Sequence, residues 1–284
     1  MDVRKVGVVG LGTMGAGIAQ VCIQAGLETV GREVTDELGD AARMRIDHYL
    51  GRGVEKGRLT DEERREALAR LTTTTELEEL GDCDLVIEAV VEELDVKTEL
   101  FAQLEAVVRP DAVLATNTSA LSVAAIAEAT EHPERVVGMH FFNPAPVLPL
   151  VEVVRAPGSA EEAVDTAFAL AERIGKRPIR CADTPGFVVN RILIPLLNDC
   201  VRVLDEAGVS PEDLDTAMTA GVNWPIGPCA LIDLIGVDVH VHASEALYDA
   251  LGEERMRPPR RLVEMNEAGL LGRKSSRGFF AYET

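Results

Sequence analysis

Two sets of residues in this chain have types and spacing able to do chemistry. The first is Gly10-Leu11-Gly12-Thr13-Met14-Gly15, a G-x-G-x-x-G turn between an apolar run and a helical pattern. In such a turn the first glycine permits a tight bend and the second lets the backbone approach a pyrophosphate. The third lets helix and strand pack closely. The N–H groups opening the helix, with its dipole, then hold the anion. Glu33, 23 positions after Gly10, stands where a carboxylate accepts hydrogen bonds from an adenosine ribose. Together these residues predict dinucleotide binding. A carboxylate there repels a 2′-phosphate and favours NAD, whereas neighbouring Arg32 could hold that phosphate and keeps NADP as the alternative.

The second set is His140 and Glu152, 12 residues apart on successive apolar stretches. A histidine flanked by Met139 and Phe141 is, taken alone, more often a hydrogen-bonded core residue than a functional one. If the second stretch pairs back on the first, however, a buried His–carboxylate pair forms. The carboxylate raises the basicity of the imidazole and fixes its tautomer, as proton removal from an alcohol requires. Beside a dinucleotide site, that makes the pair the leading catalytic candidate. Asn117, Ser119 and Asn143 are further polar residues at predicted strand ends. His240 and His242, two apart on a predicted helix, face different ways and suit a metal poorly. His48 and His132 read as surface positions, and no metal site is expected.

Positioning these residues requires strands at their carboxyl edges. Apolar runs at 6–9, 27–32, 84–91, 112–115, 136–142, 150–154 and 178–181 alternate with helical patterns, which predicts an α/β fold with a Rossmann-type, parallel, doubly wound sheet. Ligands bind such a sheet beyond the carboxyl ends of its strands. Gly31 inside the second strand is a weak point for pairing. Residues 36–70 predict two charged antiparallel helices meeting near Gly57, with a basic edge at Arg52, Lys56 and Arg58 that by itself reads as a solvated face. Ser159 is the expected cap of a helix that Gly175 ends. Beyond Asp183-Thr184-Pro185-Gly186 only helices are expected, among them 187–207, containing Pro195, and one capped by Ser210. The predicted domains are residues 1–184, Rossmann-type, and 185–284, all-α.

A net charge of −20 argues against nucleic acid and anionic membranes as partners. Five dispersed cysteines with no C-x-x-C pair argue against structural zinc or a disulfide framework and fit a reducing cytoplasm. No apolar run approaches membrane-spanning length, and no signal-peptide pattern precedes the first strand.

The chain resembles the 3-hydroxyacyl-CoA dehydrogenase family, close to the bacterial 3-hydroxybutyryl-CoA dehydrogenases, over nearly its whole length. The resemblance rests on the glycine turn continued through Ala16-Gly17-Ile18-Ala19-Gln20, on Leu85-Val86-Ile87-Glu88-Ala89-Val90-Val91-Glu92 and on Thr116-Asn117-Thr118-Ser119. It extends through Gly138-Met139-His140-Phe141-Phe142-Asn143-Pro144, Asp183-Thr184-Pro185-Gly186-Phe187-Val188-Val189-Asn190-Arg191 and Gly272-Arg273-Lys274-Ser275. It implies an oxidoreductase interconverting (S)-3-hydroxyacyl-CoA and 3-ketoacyl-CoA with NAD(H). By this resemblance His140 is the general base and Glu152 orients it, while Ser119 and Asn190, the latter from the second domain, bind the substrate oxygens. Cofactor contacts carry over to Gly10, Leu11, Gly12, Thr13, Met14, Gly15, Glu33, Ala89, Val90, Glu92, Lys97, Asn117, Ser119, Asn143 and Lys274. Arg52 and Lys56 match positions that hold the CoA phosphates, and a homodimer built through the helical domain is implied. The chain departs from the family in carrying Glu33 where Asp is usual. Two other functions compete: a dehydrogenase of a free hydroxyacid or sugar acid, and a non-catalytic dinucleotide-binding protein, which would need no base.

Overall fold

A computed structural model describes residues 1–283. The chain divides into two compact units, Met1–Thr184 and Pro185–Thr284. The first begins with β1 (Lys5–Val9), α1 (Thr13–Gln24), β2 (Glu28–Arg32), α2 (Asp36–Glu55), α3 (Asp61–Ala69) and β3 (Leu71–Thr74). It continues with β4 (Leu85–Glu88), α4 (Leu94–Val107), β5 (Val113–Thr116), α5 (Val123–Ala127), β6 (Val136–Phe141), β7 (Leu150–Arg155), α6 (Glu161–Arg173) and β8 (Arg177–Ala182). The eight strands form one sheet in the order β3-β2-β1-β4-β5-β6-β7-β8. The order reverses between β1 and β4, and that switch point is where an open α/β sheet opens a crevice for a ligand.

The sheet is parallel except at β6–β7, which pair antiparallel. The expected parallel, doubly wound sheet holds apart from this pair, for a reason of length: only residues 142–149 join the two strands, too few for a parallel crossover. β3, which has no counterpart among the expected strands, pairs parallel with β2 as the sheet edge. Strands β1, β4, β5 and β6 are almost wholly buried, as a sheet covered on both faces requires. Gly31 is no defect. A Cβ there would come within 2.7 Å of the Leu11 side chain, so the missing side chain is the space that Leu11 fills.

Of the two expected helix caps, Ser210 is observed and Ser159 is not. Thr35, Thr60 and Ser210 cap α2, α3 and a helix of the second unit with their hydroxyls. Ser159 does not cap α6. Its hydroxyl donates to the Val136 carbonyl at 2.6 Å and accepts from Ala156 N–H at 3.1 Å, which leaves Ala160 as the N-cap residue.

The second unit holds α7 (Val189–Ala207), α8 (Pro211–Val222), α9 (Pro228–Ile235), α10 (Val237–Leu251) and α11 (Arg260–Glu267). Its core joins Leu197, Val201, Ile232, Val237, Val241 and Leu262. Buried carboxylates and amides organise it. Asp233 gathers Phe279 N–H, Phe280 N–H and the Tyr282 hydroxyl, each at 2.9 Å. Asn198 Oδ1 accepts from His240 Nε2 at 2.9 Å, so His240 is a core residue and not a ligand. Among the described residues no group of metal-ligating side chains occurs and no helix is long and apolar enough to cross a membrane.

Candidate active site

The glycine turn leaves β1 through Gly10, whose φ of +84° belongs to the left-handed region that favours glycine. At Gly15 a Cβ would lie 1.8 Å from the Gly10 carbonyl oxygen, so helix and turn can cross only with glycine there. A Cβ on Gly12 would meet nothing within 4 Å: the turn faces open space at the residue expected to approach a pyrophosphate. Thr13, Met14 and Gly15 then form the first turn of α1, whose N–H groups have no intrahelical acceptor. The turn therefore fits a dinucleotide phosphate.

Glu33 lies just beyond β2 with one oxygen on Leu11 N–H at 2.6 Å and the other on Val34 N–H at 3.1 Å. The carboxylate thus braces the glycine turn. Arg32 is turned away, its Nε donating to the Thr75 carbonyl at 3.2 Å. That hydrogen bond engages the side chain that would otherwise be the candidate to hold a 2′-phosphate.

Beyond β4, Ala89 N–H bonds to the Val9 carbonyl and Val90 N–H to Glu88 Oε1. Glu92 Oε1 accepts from the Thr118 hydroxyl at 2.6 Å, Ser119 N–H at 2.8 Å and Ala120 N–H at 3.2 Å, with the Ser119 hydroxyl at 3.3 Å. Burial works against its ionisation, but Lys97 and those donors outweigh it and hold the carboxyl below its usual range. Lys97 is fully buried, with Nζ 2.6 Å from Glu88 and 3.4 Å from Glu92. Lys97 is one of the expected cofactor contacts, and its ammonium is held between those two carboxylates. Glu88 itself escaped sequence reasoning although it ends an otherwise apolar strand. Burial pushes its carboxyl above the ordinary range, against the pull of Lys97 and the donors from Thr116 and Val90.

His140 and Glu152 are direct cross-strand partners in the β6–β7 ladder. His140 Nδ1 lies 2.7 Å from Glu152 Oε2, with Glu152 fully buried and His140 6% exposed. A carboxylate only accepts, so Nδ1 carries the proton and the lone pair belongs to Nε2. The Phe142 ring packs 4.4 Å from the imidazole. Asn117 is pinned between strands, its side-chain oxygen accepting Phe141 N–H at 3.0 Å. Asn143 follows on the exposed β6–β7 connection, which Lys176, also unforeseen, holds by donating to the Ala145 and Leu148 carbonyls.

A cleft of about 600 Å³ opens between α1, α2 and that connection, lined by Thr13, Gly17, Tyr49, Asn143 and Val147. Arg45, Arg52, Lys56 and Arg58 give it a basic wall on an acidic protein. Arg52 and Lys56 thus share a cleft with the first turn of α1. Asn190, in the first turn of α7, and Lys274, ion-paired with Asp238, belong to the second unit.

A parallel sheet with a glycine turn at its switch point and a histidine–carboxylate pair on its carboxyl edge is the framework of a dinucleotide-dependent dehydrogenase. Two family models match: residues 5–184 fit the NAD binding domain of 3-hydroxyacyl-CoA dehydrogenase, and residues 186–282 its C-terminal domain. The chain belongs to the 3-hydroxyacyl-CoA dehydrogenase family. It is 46% identical to the 3-hydroxybutyryl-CoA dehydrogenase of Mycobacterium tuberculosis over 282 residues, 99% of each chain. It superimposes on the crystal structure of M. tuberculosis FadB2 with a TM-score of 0.96 at 46% identity, covering all of both chains. The crystal structure of (S)-3-hydroxybutyryl-CoA dehydrogenase PaaH1 from Ralstonia eutropha matches at a TM-score of 0.96 and 40% identity, again over all of both chains.

Proposed function

We propose that the protein is an NAD-dependent oxidoreductase interconverting (S)-3-hydroxyacyl-CoA and 3-ketoacyl-CoA, with short acyl chains such as 3-hydroxybutyryl and acetoacetyl as substrates. The observation that carries the chemistry is the 2.7 Å contact between His140 Nδ1 and Glu152 on the carboxyl edge of the sheet that also bears the glycine turn. When bound, the nicotinamide supplies the hydride acceptor or donor. His140 takes the C3 hydroxyl proton at Nε2 in oxidation and returns it in reduction, and Glu152 steadies the resulting imidazolium. Ser119 and Asn190 bind the substrate oxygens. Gly10 to Gly15, Glu33, Glu92, Asn117 and Asn143 line the cofactor's path, with Ala89 and Val90 at the β4 end and Lys274 from the helical unit.

Arg52 and Lys56 hold the CoA phosphates, and their position on the basic wall of the cleft supports this role. The first unit is then the cofactor-binding domain, and the helical unit serves substrate binding and dimerisation. Ile192 and Val203, 62% and 49% exposed on α7, suit a homodimer contact. Five free cysteines favour a cytoplasmic location.

Initial rates with acetoacetyl-CoA, following NADH and NADPH oxidation separately, test the proposal. Fast NADH oxidation is expected. No rate with any 3-ketoacyl-CoA, alongside turnover of a free hydroxyacid, would replace it.

A further inference from the structure

Glu88 closes β4 and Lys97 lies one turn inside α4; both are completely shut off from solvent. Lys97 Nζ stands 2.6 Å from Glu88 Oε1, 3.4 Å from Glu92 Oε2 and 3.4 Å from the Asn117 carbonyl oxygen. Glu88 also accepts Val90 N–H and the Thr116 hydroxyl, each at 2.7 Å. Burying two charges costs desolvation, and a buried pair rarely stabilises a fold more than apolar side chains of the same volume. Here the ammonium has a further use, because each of its other two contacts leads to a segment of the site. Through Glu92 it reaches the Thr118-Ser119-Ala120 turn, which the second Glu92 oxygen gathers. Through Asn117 it reaches Phe141 N–H, next to His140.

We propose that Glu88 is a positioning residue for the reaction. It fixes Lys97, Lys97 fixes one oxygen of Glu92, and the other oxygen sets the turn that carries Ser119. The Ser119 hydroxyl is thereby aimed by a carboxylate that touches neither substrate nor cofactor. This rests on the assignment of Ser119 to substrate binding made above.

A double-mutant cycle between Glu88→Gln and Ser119→Ala tests the route, with kcat, KM and NADH affinity measured on folded protein. Glu88→Gln is expected to lower kcat about tenfold. In the Ser119→Ala background the same change is expected to cost less than about threefold more, because the group it aims is gone. Losses that multiply, or an unimpaired Glu88→Gln enzyme, overturn the proposal. Full activity of Ser119→Ala alone overturns the Ser119 assignment, and that result is visible before the cycle is completed. If Glu88→Gln does not fold, the paired Glu88→Gln/Lys97→Met variant removes both charges together and takes its place, with the same expected non-additivity.

Discussion

His140 and Glu152 face each other directly across the antiparallel β6–β7 pair, Nδ1 to Oε2 at 2.7 Å, with Glu152 wholly buried. The ladder sets this geometry, so the imidazole is held by backbone pairing as well as by the carboxylate. Two rigid strands therefore aim the proposed base before any ligand arrives.

Substituting the base should separate chemistry from binding. His140→Gln is expected to lower kcat by roughly 10²-fold or more while NADH still binds with little change. Steady-state rates and fluorescence titration check both halves. Near-normal turnover would remove His140 from the mechanism. Glu152→Gln should fall between the two, because the amide can still accept from Nδ1–H but cannot neutralise an imidazolium.

Cofactor choice should follow Glu33 and ignore Arg32. Glu33→Ala is expected to narrow the NADH-over-NADPH ratio of kcat/KM about tenfold, by removing both the ribose acceptor and the repulsion of a 2′-phosphate. Arg32→Ala should leave the NADPH rate unchanged, because its Nε is engaged by the Thr75 carbonyl. A fall in NADPH rate for Arg32→Ala would mean that the side chain leaves Thr75 to meet the phosphate.

The basic wall of the cleft should be felt only by the acyl carrier. Lys56→Glu is expected to raise KM for acetoacetyl-CoA about tenfold or more at low salt and to leave KM for NADH unaltered. An equal rise in both would assign this edge of α2 to the fold instead.

His240 makes stability depend on pH. Burial pushes its imidazole down to about 4 from an ordinary 6.5, so the unfolded chain takes up its proton first as pH falls. The contribution is fully present above pH 6.5 and is lost as the pH drops towards 4. Between pH 7 and pH 5 the loss is about 2 kcal/mol from this residue. Urea unfolding at both pH values checks it, and the His240→Gln variant should lose correspondingly less than the parent.

Much of this architecture was legible in the residues. The glycine turn, Glu33 and the His140–Glu152 spacing are local patterns whose physics does not depend on the rest of the chain. Strand direction was less accessible, since alternation and apolar runs reveal that a strand exists and not which way it runs. Even so, the short 142–149 connection excludes a parallel crossover, so the antiparallel pair was written there. β3 escaped because Leu71-Thr72-Thr73-Thr74 is short and half-polar and follows α3 without a turn signal. Ser159 misled because a hydroxyl near a helix start can serve another acceptor, and here the Val136 carbonyl took it. Glu88 stands in an expected strand and Lys97 among the expected cofactor contacts, but their pairing across nine residues emerges only when the sheet closes over them. Their burial is a tertiary fact, and nothing in local propensity marks it.

Leu11 fills the space left by the absent side chain of Gly31, and the Leu11 N–H is the group that Glu33 braces. The two positions are therefore a single unit of inheritance: a bulkier residue at 31 is admissible only together with a smaller one at 11. Scanned one at a time, both sites should look intolerant, whereas a library varying them jointly should recover functional pairs such as Gly31→Ala with Leu11→Ala.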